Sequence, residues 1–170
     1  MIAPVSLSNL FTVATAVMCL WTIGSQSSGG VIKLWRLALP PCLAAVVALI
    51  LLASIFNATM AHDAEWMICA ILGGVIGRTR GWLMTVASDQ KWGLVRVPRT
   101  VDGLIVGFAL VVLAMIDFAG ALLEDPVIDG QHVAAGAAFC AGYLGLRALG
   151  MAMRAGRTPH VELYDTESAR

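Results

Sequence analysis

Four long stretches of the chain, 2–23, 37–60, 101–123 and 132–153, carry little or no charge. A helix needs about 20 mostly apolar residues to cross the roughly 30 Å hydrocarbon layer of a bilayer. In lipid it must also satisfy every backbone N–H and C=O within itself. Each stretch meets that length. Composition agrees, since 59% of residues are hydrophobic and 13% charged, where a soluble domain carries about 25% charged residues. Too little charge remains to coat a water-facing surface, so an all-α membrane protein is expected.

A fifth crossing depends on where the bases fall. Trp66 to Gly77 is uncharged but short, a length that also suits a re-entrant piece. Extension to 61–82 places His62, Asp63 and Glu65 at one end and Arg78 and Arg80 at the other. Acids in a first turn and bases in a last turn complement the helix dipole, and long arginines snorkel to the interface. With five spans, Lys33 and Arg36 share one side with Arg78, Arg80, Lys91, Arg96, Arg99, Arg147, Arg154, Arg157 and Arg170. The other side holds Asp63, Glu65, Asp117, Glu124, Asp125 and Asp129, and no base. A four-span chain would split the basic loops.

The positive-inside rule makes the basic side cytoplasmic. Five transmembrane helices are therefore expected at about 2–23, 37–60, 61–82, 101–123 and 132–153, with the N-terminus outside and the C-terminus in the cytoplasm of a bacterial inner membrane. Lys33 is the first base, so no positive region precedes the first run, which is expected to stay as a helix and not to be cleaved as a signal. The polar stretch Gly24–Gly30 is expected to be a flexible break. Residues 154–170 form an expected flexible tail, in which His160–Tyr164 could instead be a short docking segment. In the third loop, 82–87 and 92–97 flank the polar Ser88–Lys91, a pattern that fits either an interfacial β-hairpin or an amphipathic loop.

Ionisable groups inside a span are costly and are functional candidates by default. Asp102 lies early in the fourth span and Arg147 late in the fifth. These spans run antiparallel, so the two residues reach similar depth and are expected to face each other. They would form a register-fixing ion pair or line the path of a small transporter or channel. On the outer side, His62, Asp63, Glu65, Asp129 and His132 combine imidazole with carboxylate, a set able to hold zinc or copper in a metal or redox accessory protein. None has the H-x-x-x-H or H-E-x-x-H spacing that puts two ligands on one helix face, so solvated, helix-capping roles are expected and no metal is assigned. The four cysteines form no C-x-x-C pair.

Small residues recur at helical spacing: Gly73 and Gly77, Gly103 and Gly107, then Ala134, Ala138 and Gly142. Such stripes let helices approach closely in lipid, where packing drives association. The first two runs are bulkier apart from Ala44 and Ala48, and are expected to face lipid.

The segment Gly73-Gly74-Val75-Ile76-Gly77-Arg78-Thr79-Arg80-Gly81, followed by the hairpin-like Met84–Val97 and the next helix, resembles CcdC-like small bacterial membrane proteins. The resemblance covers about Ile71 to Gly107 and implies a multi-span helical fold. It carries over no functional residue, and the fifth span lies outside it.

Phosphate-loop, nucleophile-elbow and kinase signatures are absent. No cofactor and no nucleic-acid partner is expected, because topology explains the bases. The expected function is non-enzymatic: an accessory or assembly subunit of a larger membrane complex, or a homo-oligomer, whose partners are membrane lipids and other membrane subunits or itself.

Overall fold

The computed structural model describes residues 7–54, 60–123 and 128–163. Expected-span residues 2–6 and 55–59, acids Glu124 and Asp125, and Arg170 lie outside the described residues. Among the described residues there are five helices: α1 (Leu7–Ser27), α2 (Leu39–Ala53), α3 (Met60–Leu83), α4 (Asp102–Leu123) and α5 (Gly130–Ala155). A short 3-10 segment, Leu34–Ala38, leads into α2, where Pro40 and Pro41 occupy the first turn at no cost in intrahelical donors. Three strands follow the chain order β1 (Val31–Lys33), β2 (Ala87–Asp89) and β3 (Leu94–Arg96).

Among the described residues, four helices are long and apolar enough to cross a membrane: α1, α2 with its 3-10 lead, α4 and α5. The remaining one, α3, has 24 residues and so extends about 36 Å, but it carries Asp63, Glu65, Arg78 and Arg80. Its place is fixed by α5. A Cβ at Gly73, Gly77 or Gly81 would collide with the carbonyls of Phe139, Tyr143 and Arg147, and one at Gly142 with the carbonyl of Ala70. Farther along, a Cβ on Gly150 would come within 3.2 Å of the Arg78 carbonyl. Both sets of numbers rise together, so the helices are parallel and touch backbone to backbone over successive turns. At one end His132 Nδ1 lies 2.8 Å from Glu65 Oε1; at the other, Arg154 donates to the Trp82 carbonyl. The two helices begin and end level.

α2 and α4 pack on α5 in the opposite sense. Pro41 of α2 lies beside Gly145, and Leu113 of α4 packs on Gly136. α1 lies against α2 and α4, with Ile23 and Leu20 over Gly107. Ala16, Cys19, Ala44, Val47 and Leu110 are fully buried in this core. The first two helices therefore help form the core and are not simply lipid-facing. α4 presents Ile105, Phe108, Val112 and Met115 outward.

Where α1, α3 and α5 finish, a second apolar cluster lies at the sheet: Leu37, Met84, Val86, Val95, Val97, Met151 and Ala155. The third loop does form a hairpin, but its strands are shorter and shifted. Trp82 and Leu83 belong to α3, while Ser88 and Asp89, expected in the turn, are strand residues. The turn falls later, over residues 90–93, and ends on Gly93 with φ +61. β1 from the first loop adds a third strand, giving the antiparallel order β1-β3-β2 with Val31 opposite Arg96 and Lys33 opposite Leu94. The break after the first span also moves. Hydroxyls of Thr22, Ser25 and Ser27 donate to carbonyls three residues back, which keeps α1 helical to Ser27. The chain turns at Gly29, whose φ of +81 suits a residue without a Cβ.

From residue 154, where a flexible tail is expected, the described part returns to the hairpin. Ser88 Oγ donates to the Ala155 carbonyl at 2.6 Å, and Val161 N donates to the Ser88 carbonyl at 3.1 Å. The Asp89 carboxylate, 2% exposed, accepts from the backbone N–H groups of Lys91, Trp92 and Leu163. One side chain thus closes the hairpin turn and holds the tail.

Three variants check this architecture. Gly77→Val should lower stability by about 3 kcal/mol, read as a reduced midpoint in reversible SDS unfolding, while Gly30→Ala, with nothing near its added Cβ, should leave it unchanged. Asp89→Ala should release the tail, seen as faster tryptic cleavage after Arg157 without loss of overall helicity.

Candidate functional site

The most polar cluster inside the helical body lies where α4 begins against the second half of α5. Asp102 opens α4; Tyr143 and Arg147 sit one turn apart on the same face of α5. Arg147 Nε lies 3.1 Å from Asp102 Oδ2 and Nη2 lies 3.4 Å from Oδ1, a two-pronged pairing. Tyr143 donates its hydroxyl to Asp102 Oδ2 at 2.9 Å. Arg147 Nη2 also donates to Thr100 Oγ1 at 2.8 Å and faces the Met84 sulfur at 3.7 Å. The Arg147 and Asp102 side chains are only 11% and 14% exposed. Burial is tolerable here because charge, geometry and hydrogen bonding are matched together. Among the described residues, no buried side-chain nitrogen or oxygen lacks a partner.

Gly103 and Gly107 make room for the cluster. A Cβ at Gly103 would meet Arg147 Nη1 at 3.2 Å and Ile23 at 3.3 Å, and one at Gly107 would meet Ile23 at 2.8 Å. On the α1–α2 side, Gln26, Ser27, Thr100 and Arg147 border a cavity of about 20 Å³, the size of a single water. On the other side, a groove of about 390 Å³ opens between the end of α3 and the start of α4, with Arg80, Leu83, Thr100, Asp102 and Ile105 in its lining.

The remaining small-residue stripe divides its work. Gly142 joins the seam with α3, whereas Ala134 and Ala138 floor an apolar crevice of about 290 Å³ between α2 and α3, bordered by Ala48, Leu52 and Trp66. Of the acids and imidazoles expected on the outer side, Glu65 and His132 meet, at 38% and 63% side-chain exposure, where ion pairs contribute little. Asp63 accepts from Trp66 Nε1 at 3.3 Å, and Asp129 caps α5 through the backbone N–H of Gln131. The His62 side chain lies outside the described residues. Among the described residues, no three His, Cys, Asp or Glu side chains gather as a metal site.

Sequence reasoning named Asp102 and Arg147 but not Tyr143, Thr100 or Met84. Tyr143 was within reach, because it lies four residues before Arg147 and so shares its face. Gly81 extends the Gly73–Gly77 spacing by another turn and was likewise visible. Met84 comes from a different element, and no sequence spacing announces it.

Comparison of the chain with family models, curated proteins and solved structures returns no match.

Removing one partner of the pair should be worse than removing both. Arg147→Met should destabilise by about 3 kcal/mol, because the carboxylate is left buried alone. Adding Asp102→Asn should restore at least half of that loss in SDS unfolding. Strict additivity of the two changes would show that the groups do not act as a pair.

Proposed function

We propose that the chain is a five-span protein of a bacterial inner membrane, N-terminus outside and C-terminus cytoplasmic. It has no enzymatic activity and acts as an accessory or assembly subunit of a larger membrane complex, or as a homo-oligomer. The observation that carries this reading is how its polar groups are used. Asp102, Tyr143, Arg147 and Thr100 close on one another. Asp89 and Ser88 hold backbone of the hairpin and tail, and Glu65 meets His132. Groups that could do chemistry are engaged in fixing one element to another. What the molecule offers outward is apolar helix faces and a small strand cap.

The placement of charge supports the orientation. The bases Lys33, Arg36, Arg78, Arg80, Lys91, Arg96, Arg99, Arg154 and Arg157 lie in or beside the end that carries the sheet, and Arg147 lies just inside it. Asp63, Glu65 and Asp129 lie at the opposite end. Positive charge gathered at one end of a bundle is the pattern of a cytoplasmic face. The level ends of α3 and α5 support a fifth crossing, since a helix zipped along a membrane-spanning neighbour traverses the same thickness. The resemblance to CcdC-like proteins belongs to this reading: the segment that carries it forms the end of α3, the hairpin and the start of α4. A polar path at Asp102 and Arg147 is disfavoured by the cluster's closure and by the water-sized cavity behind it.

Native mass spectrometry after mild detergent extraction tests the proposal. The expected result is a species heavier than one chain, either a defined multiple of it or a complex with a stoichiometric companion. A chain that runs alone across a range of gentle detergents would contradict it.

A further inference from the structure

In the groove between α3 and α4 the polar cluster meets an open surface. α3 and α4 both pack on α5 but hardly touch each other, so the groove opens sideways as well as toward the sheet end. Its lining changes character. Arg80, Thr100 and Asp102 supply polar groups, while Leu83, Val101 and Ile105 supply apolar ones. Those three large side chains are 72%, 64% and 65% exposed, and Val101, just before α4, stands one turn from Ile105, whose N–H donates to the Val101 carbonyl. The volume, about 390 Å³, lies within the range of small-molecule sites.

Charge at the groove is unbalanced. Arg147 and Asp102 neutralise one another, with Tyr143 and Thr100 completing their hydrogen bonds. Arg80 adds a second cation, and among the described residues no carboxylate pairs with it. A guanidinium is suited to a phosphate, because its planar donors match two oxygens at once. An anion that also carries an alkyl chain would satisfy both halves of the lining.

We propose that this groove binds an anionic phospholipid of the cytoplasmic leaflet, its phosphate on Arg80 and its acyl chain along Ile105, which lies deeper along α4. The inference rests on the membrane reading above and on its orientation. A basic pocket between helices at the cytoplasmic side is a recurrent way to hold such headgroups. A free phosphate would use Arg80 alone and leave the apolar wall uncovered.

The test titrates the detergent-solubilised full chain with phosphatidylglycerol or phosphatidylcholine and counts retained lipids by native mass spectrometry. Wild type should hold one phosphatidylglycerol about fivefold better than phosphatidylcholine, the effect of about one cation at a membrane surface. Arg80→Gln should abolish the preference and Arg80→Lys keep most of it. Ile105→Trp should lower retention of both lipids by filling the wall. Arg99→Gln, a change at a neighbouring cleft on the sheet end, should leave the preference within about twofold. Equal retention of the two lipids by wild type, an unchanged preference in Arg80→Gln, or an equal loss in Arg99→Gln would overturn the proposal. Displacement of the bound lipid by glycerol phosphate at the same concentration would also overturn it, since the site would then be one for soluble anions. Carbonate extraction separates the two claims. A chain that stays in the membrane pellet yet shows no lipid preference loses only the groove, whereas a chain released by carbonate loses the membrane reading as well.

Discussion

Backbone contact between α3 and α5 governs the rest of this molecule. Gly73, Gly77 and Gly81 present no side chain to α5, so the carbonyls of Phe139, Tyr143 and Arg147 lie where a Cβ would otherwise be. In water such a seam would be a weak reason for two helices to associate. In lipid, apolar area gives little advantage to a helix pair over lipid contact, and close packing becomes the main attraction. The seam also solves a particular problem for α3, the least apolar of the long helices. A partner that matches it turn for turn holds it in place although its own hydropathy does not.

Several features depend on that pairing. Because α3 and α5 finish level, Met84 and Val86 arrive beside Met151 and Ala155, and the sheet finds an apolar base. The same alignment carries Arg147 to the depth of Asp102, with Met84 supplying a contact from the α3 side. Arg154 and Trp82 close the pair at the sheet end, where the Arg157 guanidinium also lies 5.4 Å from the Trp82 ring centroid. The cap and the polar cluster are therefore consequences of one helix register. The tail follows, since Ser88 and Asp89 are positioned to receive it only once the hairpin sits over the end of α5.

Much of this is written in local spacing. Long uncharged runs predict helices, and the four-residue recurrence of Gly73 and Gly77 predicts a close contact without naming its partner. The depth argument for Asp102 and Arg147 works because antiparallel helices close together in the sequence share one depth scale. What escapes the sequence has a common cause, namely short elements whose partners lie far along the chain. β1 is three residues long and pairs with a strand some sixty residues on, too short for a period-two pattern to be seen. Ser88 and Asp89 look like turn residues by type. Their burial follows from a tail about seventy residues away. The Gly24–Ser27 stretch misleads for a different reason, since residues that favour breaks in water can return their hydroxyls to the helix carbonyls and extend it.

The central claim is that α3 crosses alongside α5 in the same direction, which puts its two ends on opposite faces of the membrane. Single cysteines at Met60, 93% exposed at the start of α3, and at Lys91, exposed in the hairpin turn beyond its end, report this directly in a background lacking the native cysteines. With a membrane-impermeant maleimide applied to intact cells, the account predicts that the Met60 position is labelled and the Lys91 position is protected until the membrane is opened. Labelling of both positions from the same side would contradict it.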